Sequence, residues 1–283
     1  MSVEYDVRIN NSIYNGFETF LEEWLKQSGF ENSSINKTDD SKKYFVFSKS
    51  SIRGLVITKE EKFLKKDLHI RLSSLSSKSD WLMLYSLIDY INIKNKTKVL
   101  EEGKILKRST INKEYFLRMA EDDQKAGFNL VKTLFEKENY VKFPLWDVDL
   151  VIWKDCFEKL NDSNSLARYL EEKAFRVYFA RRADVITLEG NVQLSVWDFN
   201  DVIFGKVNYI TISEDVSKEE LFFVPWKEFL TSNFVKYDTI PRNKNELPYY
   251  FIYGIDRSKG GEAFEYYKTL SISMEDIKRM NNE

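Results

Sequence analysis

The chain of 283 residues contains very few of the side chains that metal and nucleophilic sites commonly use, with one histidine, His69, and one cysteine, Cys156. A structural zinc site takes four Cys or His ligands, and a catalytic zinc site normally takes three protein ligands, mostly His. Two such residues are too few for either kind of site. A single cysteine also excludes a disulfide within the chain and favours a reducing compartment.

The sequence context of these two residues also argues against nucleophilic catalysis. His69 alternates with Leu68 and Ile70, so strand periodicity places it on the polar face of a β-strand. Cys156 lies in a stretch of helical character, where a free cysteine is usually a small buried hydrophobe. We therefore expect neither a Ser-His-Asp nor a Cys-His site.

Glycine is scarce as well, with ten residues in the whole chain and no G-x-G spacing. Phosphate-binding loops need closely spaced glycines so that the backbone can approach the ligand. We therefore do not expect a nucleotide enzyme of the P-loop or Rossmann type. No apolar run approaches the roughly 18 residues of a membrane-spanning helix. The first residues lack the basic start and apolar run of a signal peptide, so we expect a cytoplasmic protein.

Charge is distributed unevenly, although the formal net charge is only −2. Residues 41–113 contain 17 Lys and Arg against 7 Asp and Glu, a balance of +10. All four prolines lie in the second half of the chain. These shifts predict a basic N-terminal α+β subdomain at 1–108 and an acidic C-terminal subdomain at 109–283 that combines helices with a β-meander.

The first half of the chain combines strand and helix patterns. Helical spacing of apolar residues predicts helices at 17–25, ended by Gly29, and at 81–91, begun by a capping box of Ser77 and Asp80. Residues 31–43 are polar and are expected to form a loop. Short strand patterns lie at Tyr5–Ile9, Tyr44–Phe47, Gly54–Thr58 and Leu68–Leu72. The fold class predicted is α+β, with antiparallel sheets, helices packed on one face and two subdomains of similar size.

The second half begins after a polar connector at 94–110. A long helix is predicted at 116–135, although Gly127 weakens it, and another helix begins near Pro225. Turn signals predict two hairpins, centred on Gly190-Asn191 and Gly205-Lys206, and a last strand at 249–255.

Four aspartates are the candidates for catalysis. Asp147 and Asp149 form a D-x-D pattern on a predicted strand, which places both carboxylates on one face, and Asp198 and Asp201 follow another strand. Paired carboxylates can hold Mg²⁺ or Mn²⁺ for phosphoryl or glycosyl transfer. A half-exposed strand often alternates Asp with apolar residues, so this pattern has little specificity and does not establish a metal site.

The basic stretch supplies the candidates for binding. Lysines there alternate with aromatic residues, which suits contact with phosphates and stacking on bases, although a solvated sheet face would look the same. An acidic protein partner would be recognised equally well. The candidate binding residues are Lys42, Lys43, Arg53, Lys59, Lys62, Lys65, Lys66 and Arg71.

Three short strings carry a resemblance to a known family. Residues 1–5, 78–81 and 224–229 (MSVEY, KSDW and VPWKEF) resemble an uncharacterised family of bacterial cytoplasmic proteins of about 300 residues with no assigned function. Because that family has no assigned activity, the resemblance implies no functional residue.

A protein that binds another macromolecule is the leading hypothesis, because no specific catalytic pattern survives these counts. We expect a non-catalytic bacterial or phage protein, without a cofactor, that acts on another protein as an immunity, inhibitor or accessory factor. The alternatives are a divalent-metal phosphoryl or glycosyl transferase that uses Asp147 and Asp149, and a protein that binds nucleic acid through 41–113. The oligomeric state stays open.

Overall fold

A computed structural model describes residues 2–62, 65–95, 97–144, 149–188, 192–212, 223–240, 248–273 and 276–277. The chain divides by contacts into two compact units, which consist of Met1–Trp146 with Ile152–Phe175, and of Asp147–Val151 with Arg176–Glu283. The helix that follows residue 108 lies in the first unit. The existence of separately folding domains with a boundary at 108 stays a prediction.

A seven-stranded antiparallel sheet forms the base of the first unit. Its strands are β1 (Ser2–Ile9), β2 (Ser34–Lys37), β3 (Lys43–Phe47), β4 (Leu55–Lys62), β5 (Lys65–Ser73), β6 (Val99–Glu101) and β7 (Lys104–Ile105), in the spatial order β2-β3-β4-β5-β1-β6-β7. The expectation of a loop at 31–43 and of a plain connector at 94–110 is wrong, because β2 occupies one edge of the sheet while β6 and β7 occupy the other.

Four helices contribute buried residues to the core on one face of the sheet, as the fold class predicts: α1 (Asn11–Asn15), α2 (Phe17–Gln27), α3 (Lys78–Asn95) and α4 (Lys113–Leu134). Helices α5 (Lys154–Phe157) and α6 (Ser163–Phe179) follow later in the chain, and α6 continues beyond Phe175, where the first unit ends. Tyr5, Trp24, Trp81 and Phe116 all lie in one buried cluster with the inward residues of the sheet. Trp81, the first residue of the helix predicted at 81–91, is 1% exposed and lies in the core. The strands β8 (Tyr140–Pro144) and β9 (Asp149–Trp153) lie between α4 and α5.

Local sequence rules place the ends of two of these helices. Gly29 has a φ of +77°, and the N–H of Phe30 donates to the carbonyl of Leu25, which is the expected glycine end of α2. At the start of α3, the N–H of Asp80 donates to the Ser77 hydroxyl, and the N–H of Ser77 donates to the Asp80 carboxylate. The predicted capping box is therefore present.

Helix α4 contacts the rest of the unit at two points, Tyr115 and Gly127. The phenol of Tyr115 donates to the Glu101 carboxylate at 2.7 Å. Farther along, Gly127 faces the buried side chain of Leu75, and a Cβ atom added at Gly127 would lie 2.3 Å from the Leu75 Cδ2 atom. The glycine therefore forms a notch in α4 that Leu75 fills, and it does not end the helix.

The second unit contains two four-stranded sheets. Their strands are β10 (Arg181–Arg182), β13 (Val202–Phe204), β17 (Tyr249–Ile252) and β16 (Tyr237–Ile240) in one sheet, and β11 (Ile186–Leu188), β12 (Val192–Trp197), β14 (Tyr209–Ile212) and β15 (Phe223–Pro225) in the other. The first predicted hairpin is confirmed by the antiparallel pairing of β11 with β12, while its turn residues, 189–191, lie outside the described residues.

The second predicted hairpin, around Gly205-Lys206, is wrong. Strand β13 pairs with β10 and β17, whereas β14 pairs in parallel with β12 and antiparallel with β15. The strands of this unit therefore do not follow one another as a single meander. Strand β17 confirms residues 249–252 of the last strand, which is predicted at 249–255.

An aromatic cluster fills the second unit beside the helices α7 (Trp226–Thr231) and α8 (Gly260–Leu270). Trp197 packs edge-on against Phe229, with ring centroids 5.2 Å apart, and against Tyr267. Helix α7 begins directly after Pro225, as predicted. Across the described ranges of both units, none of the helices has the length and apolar character needed to cross a membrane.

Candidate functional site

The predicted basic residues divide between the two faces of the large sheet. Lys43 and Arg71 are exposed on the face away from the helices. Lys59 and Lys66 lie on the helix-covered face, each two residues from a buried residue of its strand, Ile57 and Leu68. The excess positive charge of residues 41–113 is therefore not concentrated on one surface.

Acidic side chains of β1 further reduce the positive charge of the face away from the helices, here called the open face. In the strand register Arg71 lies opposite Glu4, and the His69 Nδ1 atom is 2.9 Å from the Asp6 carboxylate. The sequence count could not include these carboxylates, because β1 precedes the basic stretch and inserts beside β5 only in the folded chain. This face carries both signs of charge and is a poor candidate for a nucleic-acid surface.

Two of the remaining basic residues lie in turns or loops, and two lie at strand ends. Lys42 is exposed, and its N–H donates to the Asp40 carboxylate. Arg53 is half-buried, with its guanidinium carbon 5.9 Å from the centroid of the Phe143 ring. Lys62 and the exposed Lys65 face each other at the end of the β4–β5 hairpin, and the Lys62 side chain lies outside the described part of the structure.

The four candidate aspartates do not form a common centre among the residues described. Asp147 lies outside the described residues, and Asp149 is a half-buried residue at the start of β9. The Asp198 carboxylate accepts from Asn200 in the loop after β12. Asp201 accepts from the Gly254 N–H at 2.7 Å and lies 3.6 Å from Arg176. Within the described ranges, no three His, Cys, Asp or Glu side chains group as metal ligands would.

A groove between α2 and the edge strand β2 is the candidate functional site of the first unit. The chain leaves α2 at Gly29, turns back through a hydrogen bond from the Ser33 N–H to the Phe30 carbonyl, and enters β2. The groove has a volume of about 720 Å³, within the range of sites that bind ligands, and is lined by Glu22, Leu25, Lys26, Glu31, Ser33 and Ile35.

The groove combines an apolar floor with charged walls. Leu25 is 4% exposed, and Ile35 packs against the main core from its partly buried position. Glu22 and Lys26 are exposed on α2, while Glu31 is exposed on the turn that precedes β2. The arrangement suits an amphipathic side chain whose stem contacts Leu25 and Ile35 and whose charged end stays in water.

One side of β2 has an unpaired backbone. The N–H of Thr38 donates to the carbonyl of Lys43, so the alternate residues Asn36 and Ser34 also face β3. Ile35 and Lys37 then direct their N–H and C=O groups away from the sheet. Neither residue has another hydrogen-bond partner for these groups within the described ranges.

An ion pair lies beside the groove, on the same strand as Ile35. The Lys37 ammonium is 2.8 Å from the Glu18 carboxylate, and this hydrogen bond lowers the pKa of Glu18 below its ordinary value. The phenol of Tyr44 donates to the same carboxylate at 3.4 Å, while burial and the Glu18 charge raise the pKa of Tyr44 to about 12. The hydroxyl of Ser33, which lines the groove, is buried and has no partner among the described residues.

Sequence reasoning missed this groove because it missed β2. The strand contains one apolar residue, Ile35, among polar neighbours, so it lacks the alternation that identifies a half-buried strand. Leu25 was predicted only as a core residue of α2. The available signal was the length of the segment between Gly29 and the next strand pattern, Tyr44–Phe47. This segment is long enough for a short returning strand.

Comparison with protein-family models places most of the first unit in one family. Residues 14–181, more than half of the chain, match the domain of unknown function DUF4299. The chain belongs to the DUF4299 family. Comparisons with curated proteins and with solved structures found no match. The DUF4299 segment includes the groove and all eight predicted basic residues, whereas most of the second unit follows it.

Proposed function

We propose that this DUF4299 protein acts by binding another protein, and that an extended segment of the partner adds to β2 as an eighth strand. The observation that carries this proposal is the free backbone edge at Ile35 and Lys37 beside the groove. Strand addition uses backbone hydrogen bonds for affinity and pockets for alternate side chains for specificity.

The groove supports a particular chemistry for the added segment. Alternate side chains of an added strand would point toward α2, where Leu25 and Ile35 form an apolar floor. Glu22 and Glu31 provide two carboxylates against the single ammonium of Lys26. The proposed partner segment therefore places Lys or Arg in the groove, with the aliphatic stem on the floor and the cation at the carboxylates.

A biological setting completes the proposal. The partner is a protein, and the chain serves as an inhibitor, immunity or accessory factor without catalysing a reaction. A cytoplasmic location belongs to the same proposal, because the lone cysteine favours a reducing compartment. The mixed charges of the open sheet face give no support to the nucleic-acid alternative.

Synthetic peptides of alternating sequence test strand addition directly. The probe is an eight-residue peptide with Thr and Val on one face and Lys on the other, compared with the same peptide carrying Glu in place of Lys. Binding is followed through the backbone amide resonances of Ile35 and Lys37 and through their hydrogen exchange. We expect both amides to shift and to become protected with the Lys peptide, and a weaker effect with the Glu peptide.

Two controls separate strand addition from general adhesion. Ile35→Pro removes one N–H from the free edge, where proline is tolerated, whereas Ile35→Val keeps it. N-methylation of alternate peptide amides removes the donors on one side only. Binding that survives both Ile35→Pro and methylation on either side would refute strand addition, as would unchanged amide resonances of Ile35 and Lys37 at peptide concentrations well above millimolar.

A further inference from the structure

Two lysine ammonium groups converge on one aromatic ring at another point of the first unit. Lys59 of β4 and Lys66 of β5 lie on the same face of the sheet, and both reach over Tyr14 of α1. Their Nζ atoms lie 4.5 Å and 4.4 Å from the ring centroid, so the two nitrogens are at most about 9 Å apart. The aromatic ring attracts each cation, which partly offsets the repulsion between them.

The positive charge at Lys59 lacks an ion pair among the described residues. The nearby Glu18 carboxylate instead binds Lys37 at 2.8 Å. Lys66 does have a carboxylate neighbour, the exposed Glu61, at 3.5 Å. Burial lowers the pKa of Lys59, and the charge of Lys66 lowers it further, while Glu18 raises it. Lys66 therefore has a carboxylate within ion-pair distance, whereas Lys59 feels the charge of Glu18 without forming an ion pair with it.

We propose that Lys59 and Lys66 form an anion site above Tyr14 that binds a phosphoryl group carrying two negative charges, such as inorganic phosphate or a phosphate monoester. Lysine binds phosphate as a point charge, and two ammonium groups match the charge of a dianion. Because both Nζ atoms lie over one ring and lysine side chains are flexible, rotamer changes would bring both within reach of one phosphoryl group. This site is independent of the groove beside β2.

The neighbouring carboxylates make the proposal specific. Glu61 competes with the anion for Lys66, because it is the carboxylate that the ammonium contacts without a ligand. Glu61→Gln is therefore expected to tighten phosphate binding. Glu18 lies close enough to influence Lys59 but is engaged by Lys37 and Tyr44, so its effect is smaller.

Titration with inorganic phosphate, followed by the NMR signals of the Tyr14 ring and of the two lysine side chains, tests the site. Chloride at matched ionic strength is the reference, and O-phosphoserine and a single-stranded oligonucleotide are tested in parallel. We expect saturable shifts with phosphate and phosphoserine. Lys59→Met and Lys66→Met should each weaken binding about tenfold, as the loss of one charged hydrogen bond does. The double variant Lys59→Arg, Lys66→Arg should retain binding.

Lys65→Met is the matched control, since it removes one charge from the adjacent exposed position on the other face. Equal loss of binding in Lys65→Met and Lys59→Met would show a non-specific charge effect and overturn the site. Absence of a saturable shift at phosphate concentrations well above millimolar would also overturn it. Stronger binding of the oligonucleotide than of phosphoserine, lost in Lys59→Met, would replace the dianion with a nucleic-acid backbone and refute the charge argument.

Discussion

The carboxylate of Asp80 accepts a hydrogen bond from the backbone N–H of Gly54 at 3.1 Å, across 26 residues of sequence. The same carboxylate accepts from the N–H groups of Ile52, Arg53 and Ser77, and Asp80 is fully buried. One side chain thus caps α3 and fixes the loop that leads into β4. This relationship makes Asp80 a residue whose replacement should affect two elements at once.

Asp80→Asn should lower the free energy of unfolding by about 2–4 kcal/mol. An amide keeps one acceptor oxygen but turns an NH₂ group toward backbone donors, which leaves buried N–H groups unpaired. Urea unfolding of both proteins measures the difference. Asp89→Asn is the control on the same helix, because the half-buried Asp89 accepts no hydrogen bond from the described residues. Equal losses in the two variants would contradict the capping role of Asp80.

Gly54→Ala should destabilise the protein more than Gly103→Ala. Both glycines have positive φ, of +63° and +74°, so alanine is strained at each by about 1 kcal/mol. At Gly54 the added Cβ would also lie 2.7 Å from the Val46 carbonyl oxygen, whereas at Gly103 it would meet nothing within 4 Å. Melting temperatures of the two variants compare the effects. A smaller loss at Gly54 would show that this loop relaxes freely.

Trp81→Ala should cost about 3–5 kcal/mol of stability, as truncation of a buried aromatic residue does. Trp81→Phe should cost less than Trp81→Ala, because a phenyl ring keeps most of the buried aromatic contact. Denaturant midpoints of the three proteins give the comparison. A loss below about 1 kcal/mol for alanine would place Trp81 outside the core.

Relative to the parent protein, Asp123→Asn should be more stable at neutral pH than near pH 4, although the Asp123 carboxylate also accepts from the Ser76 N–H at 3.1 Å. Burial raises the pKa of Asp123, so the folded protein holds this proton more tightly than the unfolded chain does. The ionised carboxylate therefore reduces stability at neutral pH, and that cost disappears as the pH falls to the ordinary Asp pKa of about 4. Unfolding at several pH values measures it, with Glu121→Gln, on the exposed face of α4, as the control. A benefit that grows toward low pH would reverse the sign.

Millimolar Mg²⁺ or Mn²⁺ should leave the melting temperature unchanged if the protein acts by binding another protein and not as a metal-dependent transferase. A metal that binds only the folded state raises this temperature by mass action. The double variant Asp147→Asn, Asp149→Asn provides the comparison for any increase. A clear stabilisation by Mn²⁺ that this variant loses would restore the transferase hypothesis.

Local signals in the sequence were sufficient for the helices that pack on the large sheet. The spacing of Trp24 and Leu25, the Ser77 and Asp80 capping pair and the glycine at position 29 each depend on neighbours within one or two turns. These features can be read from a short window, because helix phase and helix ends are set by local hydrogen bonds and by a single apolar stripe.

Strand pairing between distant segments was not predictable in the same way. The sequence pattern at 94–110 predicts only a polar connector, although β6 pairs there with β1, nearly a hundred residues earlier in the chain. The turn signal at Gly205-Lys206 suggested a hairpin, yet β13 and β14 find their partners elsewhere in the chain. The candidate groove shares this difficulty, since Ile35 becomes recognisable only when β2 lies beside α2.

The notch at Gly127 sets the position of α4 along its own axis. Sliding the helix by one turn, about 5.4 Å, would bring a side chain against Leu75 and expel that leucine from its buried position. Tyr115 lies twelve residues earlier, about 18 Å along the same rigid rod, so the notch also holds its phenol level with Glu101. The absence of a side chain at Gly127 thereby fixes the position of a hydrogen bond near the N-terminal end of α4.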